Sequence, residues 1–183
     1  MSQIQIAVIV GSLRRESVNR KLADAIVKLA PAEFKFKQLS IAELPLYNQD
    51  DDDDPAAQVK QFKQDLNASQ GILFVTPEYN RSIPGVLKNA IDHASRPYGQ
   101  SAWAKKPAGV LGASLSPLGT ALAQQNLRSI LAYLDMPTLG QPEAYIQAKP
   151  DLFDAAGNIG KDNLAFMQIW MDSYVAWVNA HRK

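Results

Sequence analysis

The sequence contains no cysteine, which excludes disulfides, thiolate metal sites and a cysteine nucleophile. It also lacks a charge excess. Nineteen basic residues oppose eighteen acidic ones, for a net charge of +1. That balance provides no general drive toward nucleic acid or an anionic membrane, so neither is expected as a partner. No apolar run approaches the ~20 residues of a bilayer span; residues 6–10 form a short one. The start, Met1-Ser2-Gln3-Ile4-Gln5, has no basic region or cleavage pattern of a secretory signal. A soluble, cytoplasmic protein is the expectation. Two nucleotide fingerprints are missing as well. There is no G-x-G-x-x-G of a dinucleotide-binding turn and no G-x-x-x-x-G-K-[ST] of a P-loop.

What is present suits one domain over residues 1–183. A 46% hydrophobic content is enough for a core of that size. Ala7-Val8-Ile9-Val10 and Ile72-Leu73-Phe74-Val75 are continuous apolar runs, as in strands buried on both faces. Gly109-Val110-Leu111-Gly112-Ala113 reads as a third such strand, and Phe34-Lys35-Phe36-Lys37 alternates like a half-exposed edge strand. A short fifth strand is expected around residues 136–139. Helical spacing links Val18, Leu22, Ile26 and Leu29, then Val59, Phe62 and Leu66, with Pro55 suited to that helix's first turn. It recurs at Leu87, Ala90, Ile91 and Ala94 after Pro84, and at Leu127, Ile130, Leu131 and Leu134. A last helix covers about residues 162–180, where Trp170, Tyr174 and Trp177 read as core. Strand–helix alternation implies α/β architecture, a parallel sheet between two helical layers. The flavodoxin-like three-layer sandwich, with five parallel strands in the order 2-1-3-4-5, fits best. The acidic residues 50–54 read as a solvated loop before a helix rather than a cation site. No metal site is expected.

Two loops carry the chemistry. Gly11-Ser12-Leu13-Arg14-Arg15-Glu16-Ser17-Val18-Asn19 lies between the first strand and the first helix. A helix N-terminus offers unpaired N–H groups and the positive end of the peptide dipoles. Ser12, Ser17 and Asn19 add short hydrogen-bonding groups, and Arg14 a planar cation matched to phosphate. Two readings stay open for this segment: a seat for a phosphate monoester, or an ordinary N-cap at Ser17 beside solvated arginines. The second loop is Thr76-Pro77-Glu78-Tyr79-Asn80-Arg81-Ser82-Ile83-Pro84-Gly85. Its prolines stiffen the backbone, so its donors and acceptors can meet a planar ring at little ordering cost. Tyr79 offers an aromatic wall.

Together, Gly11-Ser12-Leu13-Arg14 with Ser17 and Asn19, and Thr76-Pro77-Glu78-Tyr79-Asn80-x-Ser82-x-Pro84-Gly85-x-Leu87-Lys88-Asn89-Ala90-Ile91-Asp92, resemble the NADPH-dependent FMN reductase family. That group includes bacterial quinone, chromate and azo reductases. The likeness spans about residues 4–143. It implies that Ser12, Arg14, Ser17 and Asn19 bind the FMN phosphate, and that Pro77, Glu78, Tyr79 and Asn80 line the isoalloxazine ring. Ser114, in the third segment Gly112-Ala113-Ser114-Leu115-Ser116-Pro117-Leu118-Gly119-Thr120, would close the site. Ser116 and Thr120 stand where the family often has glycine, and His93 where it often has tryptophan.

The resemblance also implies a hydride relay. NADPH or NADH reduces FMN, and a small acceptor (quinone, chromate, azo or nitro compound, or flavin) then takes the electrons. The cofactor carries that chemistry, so no catalytic side chain is assigned. A homodimer or homotetramer is implied too. Glu78 has two open roles, proton transfer or a structural hydrogen bond. Lys88 and Asp92, four apart, suit a surface pair. A flavodoxin-type electron carrier or a non-catalytic flavin-binding protein would share the fold, but carriers are usually strongly acidic. A receiver domain would need acidic residues where Ser12 and Arg14 stand.

Overall fold

The computed structural model describes residues 3–182. Met1 and Ser2, which opened the N-terminal reading, lie outside them, as does Lys183. Five strands, β1 (Ile4–Val10), β2 (Phe34–Gln38), β3 (Gly71–Val75), β4 (Ala108–Ser114) and β5 (Ala144–Gln147), form one sheet in the order β2-β1-β3-β4-β5. Every pairing is parallel. The helices are α1 (Val18–Ile26), α2 (Ala57–Ala68), α3 (Gly85–Ala94), α4 (Ala121–Tyr133) and α5 (Lys161–His181). This is the flavodoxin-like order expected from the sequence.

The alternation of side chains along each strand builds two separate cores. Ile4, Ile6, Val8 and Val10 of β1 face Leu22 and Ile26 of α1 and Trp170 and Tyr174 of α5. Ala7 and Ile9 face the other way, against Phe62 of α2, Leu87 of α3 and Leu127 of α4. Burying one such aliphatic or aromatic side chain contributes about 1.5–3 kcal/mol, and every buried position of β1 and β3 is apolar, the one polar residue of the two strands, Gln5, being exposed. Helix α5 lies close over β4. A Cβ on Gly109 would come within 2.5 Å of the Tyr174 ring, itself stacked on Trp170 with centroids 5.6 Å apart. Trp177, expected in the core, is only partly buried and donates its indole N–H to the Pro137 carbonyl at 2.9 Å.

The fifth strand falls later than its apolar pattern suggests. Residues 136–139 make a single parallel bridge, Thr138 to Ala108, near the start of β4. Pro137 has no N–H to extend that ladder. The regular pairing starts at Ala144, opposite Leu111. As an edge strand, β5 alternates buried Ala144 and Ile146 with half-exposed Tyr145 and Gln147, so its signal is weak. The acidic loop is solvated as expected. Residues 49–51 form a short 3-10 turn capped by Asn48, and Asp54 pairs with Lys60. Among the described residues no acidic or histidine cluster has the arrangement of a metal site. Among the described residues no helix is long and apolar enough to cross a membrane.

Candidate active site

A parallel sheet delivers all its strand-to-helix loops to one edge. Because β1, β3 and β4 are neighbours, residues 11–17, 76–84 and 115–120 converge there. The convergence is tight. The Gly11 N–H donates to the Val75 carbonyl at 2.9 Å, and the Thr76 N–H to Leu111 at 3.0 Å. A Cβ on Gly112 would fall inside the van der Waals envelope of the Thr76 carbonyl oxygen, so only glycine fits.

In the first loop the structure gives Ser17 its N-cap role, its hydroxyl accepting from Arg20 N–H at 3.2 Å. Asn19 is buried, and its amide is committed to a distant partner. Nδ2 donates to the Ala113 carbonyl at 2.9 Å, and Oδ1 accepts from the Ala113 N–H at 2.8 Å. Asn19 thus ties the start of α1 to β4. Ser12 is buried, with its oxygen 3.4 Å from the Arg14 N–H. Arg14 is exposed and has no carboxylate partner among the described residues. Glu16, the one acid in this loop, turns outward to Lys21. Among the described residues the backbone N–H groups of Ser12, Leu13, Arg15, Glu16 and Ser17 take no protein acceptor. A set of unpaired donors at a helix N-terminus, beside cations, fits an anion of phosphate chemistry. Arg20 strengthens that fit. Its Nε is buried without a partner, and its side chain lines a cavity of about 270 Å³ with Ser12, Gln38 and Ser40. Nothing in the local spacing distinguished Arg20 from its solvated neighbour Arg15.

The second loop is rigid. Tyr79 and Ser82 exchange backbone hydrogen bonds of 2.9 and 3.0 Å around a tight turn. Asn80 (φ 52°) and Arg81 (φ 66°) are both left-handed. Asparagine tolerates that conformation, but arginine in it costs of order 1 kcal/mol or more. Such a turn persists only when its surroundings impose it, and here α4 does. The Arg81 carbonyl accepts from Asn126 Nδ2 at 3.2 Å, and the Glu78 carboxylate from Leu122 and Ala123 N–H at 3.0 and 3.1 Å. Glu78 thus takes the structural role of its two open readings. Pro77 is half-buried behind the turn, while Tyr79 is 51% exposed and presents its ring.

In the third loop the Ser114 hydroxyl donates to the Gly119 carbonyl. Gly119 is left-handed (φ 57°), and its Cα packs on the Tyr145 backbone. The residues that replace family glycines have local functions. Thr120 is buried and accepts from Gln124 Nε2 at 2.9 Å; that nitrogen also donates to the Ala144 carbonyl at 2.8 Å. Ser116 Oγ lies 3.3 Å from the Leu118 N–H. His93 pairs through Nε2 with the Pro45 carbonyl at 2.8 Å, with Tyr47 edge-on to its ring. It pins the loop after β2 to α3. The loop-holding roles of Asn89, Gln124 and Asn126 were not readable from the sequence, because the loop carbonyls they engage, those of Pro45, Ala144 and Arg81, lie 44, 20 and 45 positions away. A rim of exposed Leu13, Tyr79, Leu115, Leu118 and Leu122 completes the edge.

The model of the family described as NADPH-dependent FMN reductase matches residues 4–151. A 2-hydroxy-1,4-benzoquinone reductase of Burkholderia sp. is 51% identical over 180 residues, covering 98% of both chains. A quinone reductase of Pseudomonas putida is 46% identical over 184 residues, covering 100% of this chain and 99% of its own. Among solved structures, the flavoenzyme NAD(P)H:(acceptor) oxidoreductase FerB of Paracoccus denitrificans superposes with a TM-score of 0.94 at 42% identity. That match covers 98% of this chain and 100% of FerB.

Proposed function

This chain belongs to the NADPH-dependent FMN reductase family, and from that premise we propose that it oxidises NADPH or NADH and reduces quinones through bound FMN. It is an NAD(P)H-dependent enzyme of the FMN and quinone reductase type. The observation that carries the quinone reading is the juxtaposition of an unpaired-donor loop at the α1 N-terminus with the rigid Tyr79–Ser82 turn and its apolar rim.

Each residue has a stated task in this reading. Ser12, Arg14 and the free N–H groups of residues 12–17 hold the phosphate. Ser17 and Asn19 fix the helix end that presents them, and Asn19 retains one amide hydrogen for the same anion. Pro77, Glu78, Tyr79 and Asn80 form the ring-side loop, with Tyr79 as its aromatic wall, and Ser114 braces the facing turn. FMN, when bound, supplies the two-electron chemistry that links nicotinamide to acceptor. The protein's contribution is to orient both reactants on one open face. Leu115, Leu118 and Leu122 favour flat apolar acceptors such as quinones, with azo and nitro aromatics next. Chromate, a hydrated oxyanion, gains nothing from such a rim.

The whole chain acts as one domain, and its cysteine-free composition suits the reducing cytoplasm. Exposed Tyr98 and Tyr133, and Leu164, Phe166 and Ile169 on α5, support a homo-oligomer. Light scattering tests that; a 20.1 kDa species at micromolar concentration would refute it.

The test of function is spectroscopic. Purified protein should show flavin absorbance, bleach on anaerobic addition of NADPH or NADH, and recover on addition of benzoquinone. Arg14→Ala should weaken FMN binding by about 1.5–3 kcal/mol, roughly 10- to 150-fold. Protein that takes up no FMN at low salt would overturn the proposal.

A further inference from the structure

Glu78 lies one residue before Tyr79, yet its carboxylate points into the protein and its side chain is 12% exposed. Oε2 accepts from the N–H groups of Leu122 and Ala123. These are first-turn amides of α4, a helix whose own N-cap, Thr120, makes no side-chain capping bond. An acid from a different loop therefore does the work that a local serine or aspartate usually does. One turn further along α4, the exposed Asn126 donates from Nδ2 to the carbonyls of Arg81 and Leu122. Both flanks of the left-handed pair Asn80–Arg81 are thus held by the same helix.

We infer that Glu78 and Asn126 are positioning residues of the reductase: they lock the strained Tyr79 turn onto α4, so that the ring-side loop and the Leu122 rim form one wall. The inference rests on the proposed reading that this loop faces the flavin. The physical reasoning is a population argument. A left-handed arginine is unfavourable in isolation, so without the clamp the turn relaxes and carries Tyr79 with it. Ligand binding must then supply the ordering cost, and apparent affinity falls by the fraction of chains in the competent state. A proton-transfer role, or a charge contact between Glu78 and the ligand, predicts a different pattern; the 3.8 Å contact of Oε1 with the exposed Arg81 guanidinium is a surface pair that contributes little. Glutamine keeps the acceptor oxygen that caps α4 but loses the acid and the charge.

The experiment uses the full chain as wild type, Glu78→Ala, Glu78→Gln and Asn126→Ala. Amide exchange of the apoprotein reads the turn directly, through the N–H groups of Tyr79 and Ser82, with β1 amides as the reference for global stability. FMN titration reads the consequence. Glu78→Ala, which removes both capping bonds to α4, should speed exchange at both amides by about tenfold or more and raise the FMN dissociation constant by a similar factor, tenfold being the low end for a charge-assisted bond. Glu78→Gln should stay within about threefold of wild type in both, and Asn126→Ala should fall between. Unchanged exchange in Glu78→Ala, or glutamine as impaired as alanine, would overturn the inference. If Glu78→Ala does not fold, Asn126→Ala decides: faster exchange at Tyr79 and Ser82 supports the clamp, and wild-type exchange refutes it. A wild type that binds no FMN would defeat the proposed function, while the exchange data would still decide whether the clamp exists.

Discussion

Replacing Asn19 by alanine should destabilise the whole fold, not only the loop that contains it. The Asn19 amide makes two hydrogen bonds to one residue, at 2.9 Å to the Ala113 carbonyl and 2.8 Å to its N–H. Asn19 is 2% exposed and Ala113 1%, so bulk water cannot replace either bond. Alanine leaves a buried donor and a buried acceptor unpaired, at about 1–3 kcal/mol each, or ~2–6 kcal/mol together. A typical domain has only about 5–15 kcal/mol in total. With a urea dependence of about 2 kcal/mol per molar, the unfolding midpoint should drop by roughly 1–3 M. Asn19→Asp separates packing from hydrogen bonding because it conserves shape. The carboxylate still accepts from the Ala113 N–H but opposes the Ala113 carbonyl, which raises its folded pKa above the unfolded value. Stability should therefore be highest at low pH, where a protonated acid restores the donor, and should be lost as pH rises through that raised pKa. A midpoint shift below about 0.3 M for alanine, or wild-type stability of the aspartate variant at pH 7, would refute this reasoning.

Other consequences follow from the packing. Gly112→Ala should cost about 3 kcal/mol or more and abolish FMN uptake, because the added methyl meets the Thr76 backbone, which cannot yield without parting β3 from β4; thermal melting and flavin titration check both. Gly109→Ala should cost about 1–3 kcal/mol through its clash with the Tyr174 ring, while leaving FMN affinity per folded molecule unchanged. Burial, with a hydrogen bond and repulsion from Glu143, pushes the Tyr145 hydroxyl up to about 12, and burial pushes Tyr174 well above its usual value. Both raised values favour the protonated folded form. Their stabilising contribution is complete below about pH 10, where unfolded tyrosine ionises, and fades as pH rises toward 12 and beyond. Ultraviolet titration of tyrosinate should show both rings silent at pH 10.5; ionisation there without unfolding would contradict this.

Much of the candidate site was legible because its donors are local. The stretch from Gly11 to Ser17 carries the groups proposed to hold a phosphate on neighbouring residues, and Pro77 and Pro84 announce a stiff loop by type alone. The commitment of Asn19 was not legible, since Ala113 is 94 positions away. Glu78 likewise reads as a candidate acid until α4 is seen to use its carboxylate 44 positions on. Thr120 and His93 looked like departures from a family pattern. Their partners, the buried Gln124 and the carbonyl of Pro45, show that each braces a neighbouring element. The fifth strand was misplaced because an edge strand needs apolar residues on one face only, and residues 136–139 offered a denser run.

The sequence alone determined the sheet order and the edge at which the loops meet. Fully apolar strands must lie centrally, and parallel crossovers are of one hand, so strand polarity gathers every following loop at one rim. Only the tertiary structure decided which side chains there are free for a ligand and which are already engaged. Hydrogen-bonding capacity is finite, and whether Asn19, Glu78 or Arg14 has any to spare depends on partners that folding brings from distant parts of the chain.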